Sequence, residues 1–148
     1  MNLKIRPARS TDAGKIGEIM TEGNAAPDWK PHLHSAAQDI AFCGRMIDRG
    51  WVRVAENNDG RIVGFIARDG EEINTLYVRA TAQGRGVGKQ LLREAMRDAT
   101  RLELWTFQLN TGARRFYERE GFVAVKETDG ADNQEQLPDV RFAWERPK

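Results

Sequence analysis

The chain has 148 residues, with 23 basic side chains against 22 acidic ones and a formal net charge of +1. That balance lacks the strongly basic footprint of a dedicated nucleic-acid binder, and the length suits one domain, residues 1–148, with a proper core. Cys43 is the only cysteine, so no intrachain disulfide can form, and no apolar run reaches the roughly 18 residues of a membrane-spanning helix.

From the N-terminus, "NLKIR" alternates, with Leu3 and Ile5 on one face, and stops at Pro7, which predicts a short strand. "STDAGKIGEIM" carries a cap-type residue at Asp12 and then Ile16, Ile19 and Met20 at helical spacing. A second helix opens at Ser35 with Gln38 at capping-box distance and closes at Gly50. "WVRVAE", "RIVGFIAR" and "EEINTLYV" read as three successive strands joined by "NNDG" and by Asp69–Gly70, both strong hairpin signals. A helix follows with Val87, Leu91, Leu92, Ala95, Met96 and Ala99 along one side, and then the strand "LELWTF". "NTGARRFYERE" reads as a short helix ending at Gly121, and "FVAVKE" and "VRFAWE" as the last two strands. Between these strands, residues 128–139 read as a long loop within the domain. The order predicts an α/β fold with a mixed sheet and an antiparallel meander in its first half.

The segment "QGRGVGKQLL", residues 83–92, puts three glycines into five residues and runs into a helix. Each such glycine costs roughly 1 kcal/mol against alanine. A flexible loop is the plain explanation; close approach of an anion to the backbone at a helix N-terminus is the sharper one. The dinucleotide fingerprint fails because Lys89 stands where its third glycine belongs, and the P-loop fails at Gln83 and Gln90. What remains is Gln/Arg-x-x-Gly-x-Gly/Ala, matched by Gln83, Gly86 and Gly88. A second motif lies downstream: Asn110, Ala113, Phe116, Tyr117, Glu118, Gly121 and Phe122.

Together the two motifs resemble the GNAT superfamily of acetyl-CoA-dependent N-acetyltransferases, over essentially the whole chain. The resemblance implies a mostly antiparallel sheet of six to seven strands, flanked by about four helices and splayed between the fourth and fifth strands. It implies acetyl-CoA as co-substrate in that splay; no metal is expected, because the spacing of His32, His34 and Cys43 matches no zinc pattern. The pyrophosphate would rest on backbone N–H groups of Gly84, Arg85, Gly86, Val87 and Gly88, with Gln83 beside them and Arg85 and Lys89 adding positive charge. Leu76, Tyr77 and Val78 would offer backbone groups to the amide-bearing arm of the cofactor. Asn110 would serve as helix cap and, with Ala113, as a further cofactor contact.

Tyr117 matches the family's general acid. A phenol stays protonated at neutral pH and can donate to a departing thiolate, while the neighbouring Phe116 is expected to fill the core. Glu72 falls where histone acetyltransferases of the superfamily place a base, with Glu103 as a second candidate; a solvated surface charge is the alternative for Glu72. In "NAAPDWKPHLHSAAQ", residues 24–38, Trp29, His32 and His34 are expected to wall the acceptor side or to pack as a surface loop. The reading is an N-acetyltransferase that passes acetyl to a primary amine of a small molecule or peptide by direct attack in a ternary complex. A non-catalytic acyl-CoA sensor or interaction module of the same fold is the alternative. The expected setting is the cytoplasm, without membrane or nucleic-acid partners, and the last strands offer an edge for a homodimer.

Overall fold

The computed structural model describes residues 2–148. Its strands are β1 Lys4–Pro7, β2 Val52–Glu56, β3 Ile62–Asp69, β4 Glu72–Val78, β5 Arg101–Phe107, β6 Val123–Thr128 and β7 Asp139–Glu145. They form one sheet in the order β1-β2-β3-β4-β5-β7-β6, antiparallel throughout except for the parallel neighbours β4 and β5. The helices are α1 Ala13–Ala25, α2 Ala36–Asp48, α3 Val87–Arg97 and α4 Thr111–Arg119. This is the mixed, helix-flanked sheet expected from the sequence. No helix of the described residues is long and apolar enough to cross a membrane.

Local chemistry sets the turns and most helix ends. The Asn57 side chain accepts from the backbone N–H groups of Asp59 and Arg61 at 2.9 and 3.0 Å, and Gly60 takes the positive φ that closes the β2–β3 hairpin. At α2 both halves of the capping box form: Gln38 N–H donates to Ser35 Oγ, and Ser35 N–H donates to Gln38 Oε1. Asp12 behaves differently from the sequence expectation. Its carboxylate takes two bonds from Arg6 and one from the Arg9 N–H, and makes no side-chain cap bond to α1. The guanidinium of Arg6 holds the Asp12 carboxyl below its ordinary range.

The two sheet faces are covered unequally. On one, Ile16, Ile19 and Met20 of α1 and Cys43, Met46 and Ile47 of α2 pack on Val52, Val54, Phe65 and Ala67. That cluster takes nothing from β5, β6 or β7. On the other, Val87, Leu91, Leu92 and Ala95 of α3, with Tyr117 and Phe122, pack on Leu102, Leu104, Val140 and Phe142. Each such aliphatic or aromatic side chain contributes roughly 1.5–3 kcal/mol on burial. The first helix pair therefore stops at β4, and the sheet beyond it stays open; Trp105 is exposed there with the Arg141 guanidinium over its ring.

The divide between β4 and β5 has a local cause. Along β3–β4 the register runs Ala67↔Thr75 and then Arg68↔Ile73, so Asn74 is an extra, bulged residue. A bulge bends its strand and raises the local twist. Beyond it, β4 leaves β5: their ladder holds the single pair Glu72↔Glu103.

Candidate active site

The strands diverge into a gap lined on the β4 side by residues 73–77 and on the β5 side by Leu104, Trp105 and Phe107. Pro27, Trp29 and Lys30 close one flank, and Asn110, Ala113 and Tyr117 the other. Because β5 pairs with β4 at Glu72 alone, the gap-facing backbone edge of the rest of β4 has no strand partner. In a folded interior such groups need hydrogen bonds, so this edge suits an extended ligand with amides of its own.

Tyr117 comes to the gap from α4. Asn110 caps that helix, its Oδ1 accepting from the Ala113 N–H at 3.1 Å. The Tyr117 ring packs against Phe116, Phe122 and Phe142, with centroids 5.1, 5.5 and 6.1 Å away. The expected division of labour with Phe116 is reversed: Tyr117 is buried in the core and Phe116 only half-buried. Among the described residues the Tyr117 hydroxyl has no hydrogen-bond partner, although the residue lines the gap. Burial pushes the phenol well above its usual pKa, which keeps it a proton donor. Tyr77 stands across from it on β4. Its hydroxyl is engaged, donating to Asn24 Oδ1 at 2.6 Å. A Cβ at Gly23 would lie 2.4 Å from the Tyr77 ring, so only glycine lets α1 pass this close.

The glycine segment enters α3. Gly84 and Gly86 have φ of 78° and 81°, which demand glycine for backbone reasons. Gly88 lies inside the helix, and a Cβ there would meet Phe116 and Val78 at an ordinary 3.6 Å. The first turn of α3 has neither a capping side chain nor an acidic residue, so its leading N–H groups are open to an anion. Val87 turns its side chain into the core and leaves only its backbone at this surface. Arg85 and Lys89 are exposed beside it, while the Gln83 amide donates back to Val78 O at 3.2 Å.

The carboxylates proposed as bases lie elsewhere. Glu72 sits at the closed end of the gap, gripped by Arg141 through two bonds of 2.8 and 2.6 Å. Glu103 beside it accepts from Arg101 and from Arg141. The Arg101 hydrogen bond, before all else, holds Glu103 below its ordinary pKa. Neither carboxylate is among the residues lining the gap with Tyr117.

The sequence profile of the acetyltransferase (GNAT) domain matches residues 48–124. The chain belongs to the GNAT acetyltransferase family. It is 32% identical over 146 residues to the peptidyl-lysine N-acetyltransferase YiaC of Escherichia coli K12, covering 95% of both chains. Apo-form YjaB from Escherichia coli superposes with a TM-score of 0.81 at 22% identity, over 97% of this chain and 98% of that one. The yncA protein of Salmonella typhimurium, solved with its cofactor acetyl-CoA, gives 0.75 at 19% identity, over 100% and 96% of the two chains.

In this GNAT chain a second cavity adjoins the gap. Asn24, Lys30, His34, Asp39, Asn74, Thr75, Tyr77, Gln134 and Glu135 are among the residues that line it. Of the three residues expected to wall the acceptor side, Trp29 packs edge-on against Phe107 at 5.8 Å and lines the gap itself. His34 is exposed at the cavity, with Nε2 3.1 Å from Gln134 Oε1, which joins the α1–α2 loop to the β6–β7 loop; His32 lies in the same exposed stretch. Lys30 lines both spaces, donating to Asn24 Oδ1 at 2.7 Å and standing over the Phe107 ring; burial lowers its pKa. Asp39, Thr75 and Asn24 carry no motif, and the sequence reading missed them. Beneath them Cys43 is buried, and burial, aided by the Asp39 charge, pushes its thiol up to about 12.

Proposed function

We propose that the 148 residues act as a single acetyltransferase domain that moves the acetyl group of acetyl-CoA to a primary amine, with a peptidyl lysine side chain as the favoured acceptor. The observation that carries this reading is the Tyr117 hydroxyl without a partner, in a gap whose β4 edge is unpaired. The lysine acceptor rests on the resemblance to YiaC.

In this reading Leu76, Tyr77 and Val78 extend their backbone to the amide-bearing arm of the cofactor. The segment 83–89, through the open N–H groups of α3 and the charges of Arg85 and Lys89, receives its phosphates. Asn110 and Ala113 border the arm. Acetyl-CoA supplies the activated acetyl thioester. Tyr117 gives its proton to the sulfur as the C–S bond breaks, in a ternary complex without an acyl-enzyme. Tyr77 is the weaker donor, since its hydrogen is committed to Asn24. Glu72, held by Arg141, positions strands in this reading and is not the base. Trp29 and His34 border the acceptor route. The protein is placed in the cytoplasm, and exposed Val123 and Val125 on the edge strand β6 would serve a homodimer.

The test is acetyl transfer from acetyl-CoA to a panel of lysine peptides and small amines, with CoA binding measured in parallel. Gly86→Val should weaken acetyl-CoA binding about tenfold or more, since the left-handed position costs a branched residue roughly 1–2 kcal/mol and the loop must shift. Gly88→Ala should bind normally. Binding without transfer to any amine would favour an acyl-CoA sensor.

A further inference from the structure

The cavity beside the gap holds a carboxylate that neither the fold nor the proposed chemistry has used. Asp39 lies in the first turn of α2 and is only 5% exposed. Its Oδ2 accepts from Thr21 Oγ1 at 2.6 Å. Among the described residues it has no further side-chain partner and no salt bridge, while Glu72, Glu103, Asp12 and Glu56 all face arginines. A buried carboxylate with one hydroxyl donor is under-solvated, and a cation beside it would answer its charge. The cations nearest to hand are otherwise occupied. Lys30 is bonded to Asn24 over Phe107, and Arg45 stands over Phe42.

A second observation points to a ligand at the same place. Thr75 Oγ1 is buried and has no hydrogen-bond partner among the described residues. Thr75 lines both the gap and the cavity. Leaving such a group unpaired costs roughly 1–3 kcal/mol, a cost that a polar ligand crossing between the two spaces would remove.

We propose that Asp39 and Thr75 form the subsite for the acceptor's alkylammonium group: Asp39 recognises its charge, and Thr75 receives a hydrogen bond from it at the entry to the gap. This rests on the acetyltransferase reading of the gap and adds the residues that select the amine. Asp39 then takes one proton from R–NH3+, leaving a neutral R–NH2 and a protonated carboxyl. The free amine forms the new C–N bond as the C–S bond breaks, and the amide nitrogen releases its second proton to solvent. Glu135 lends further negative charge to the cavity, while Lys30 and Arg45 oppose it and His34 borders it. The ordinary alternative is that Asp39 only complements the α2 dipole and ties α2 to α1 through Thr21.

Asp39→Asn separates these roles, because an amide oxygen still accepts from Thr21 while the charge is gone. The probe is Nα-acetyl-lysine methylamide, with the uncharged Nα-acetyl-norleucine methylamide as its partner in binding. Wild type saturated with CoA should bind the lysine probe at least about tenfold more tightly than the norleucine one, a preference worth about 1.4 kcal/mol. Asp39→Asn should abolish that preference and raise KM for the lysine probe about tenfold, with acetyl-CoA affinity unchanged. Thr21→Val, which keeps the charge, should keep the preference. Equal binding of the two probes to wild type overturns the proposal whether or not the variant folds, and so does an unchanged KM in Asp39→Asn. Absence of acetyl transfer by wild type would instead count against the function of the gap, while the binding preference would still report on Asp39.

Discussion

At the closed end of the gap, Arg141 on β7 reaches across to Glu72 on β4 and Glu103 on β5, and Arg101 takes the free oxygen of Glu103. Three residues along β4, about 10 Å away, the buried Thr75 hydroxyl has no partner among the described residues, and Tyr117 reaches the same gap from α4. β4 thus carries one region in which charges are answered and another in which a polar group waits. Completed polar networks fix a geometry; incomplete ones in a buried site mark where something else must bind. By this contrast the acidic residues at the closed end tie strands together, and the chemistry proposed above falls to the hydroxyls.

The comparison breaks most visibly at Tyr117. Tyr117→Phe keeps the ring in its aromatic cluster and removes the hydroxyl, so maximal rate should fall about 100-fold with acetyl-CoA affinity and melting temperature nearly unchanged. Equal activity would return Tyr117 to the core and shift attention to Tyr77→Phe. At the other end, Arg141→Met should cost about 2 kcal/mol in chemical denaturation, because it leaves Glu72 without its hydrogen-bonded charge and removes one of the two that hold Glu103. If stability holds in that variant, the clamp is ornamental and the strands are kept by their ladder alone.

Thr75→Val sharpens the contrast through its sign. Replacing an unpaired buried hydroxyl with a methyl should raise stability by about 1 kcal/mol while lowering kcat/KM for the amine. A loss of both would mean that the hydroxyl already has a bound water as its partner. The smallest effect is on acid stability. Glu103 has its folded pKa depressed below the ordinary 4.5, so its contribution is present above that value and is lost as pH falls through the folded value. Glu103→Gln should flatten the slope of stability against pH only below about 4.5. A change in slope near neutrality would contradict the assignment.

What could be read from the sequence was local. The "NNDG" turn, the Ser35–Gln38 box and the glycines at 84 and 86 each act over a few residues, and each does what its chemistry requires. Glu72 matches the base position of histone acetyltransferases by its place in the chain alone, and the bulge at Asn74 lies between it and the rest of β4. The Phe116–Tyr117 choice turns on helix phase, and neighbouring aromatics leave the phase open until Phe122 and Phe142 are in place. Asp39 was hidden because its significance lies in what it lacks. Thr21 lies 18 residues away in the chain and Thr75 on another strand, so only the folded sheet brings the subsite together.

The state of Cys43 has a practical consequence. An acetyl transfer from acetyl-CoA liberates a thiol, and colourimetric thiol reagents read that product directly. The protein's lone sulfhydryl is buried in the α1–α2 core and held protonated up to about 12, so it should stay silent toward such reagents at assay pH. Turnover can therefore be followed continuously at high enzyme concentration against a flat background, and any reagent uptake without substrate would report unfolding. The same inertness leaves the native chain ready for single introduced cysteines, at His34 or Gln134 for instance, as labels on the two loops that meet over the cavity.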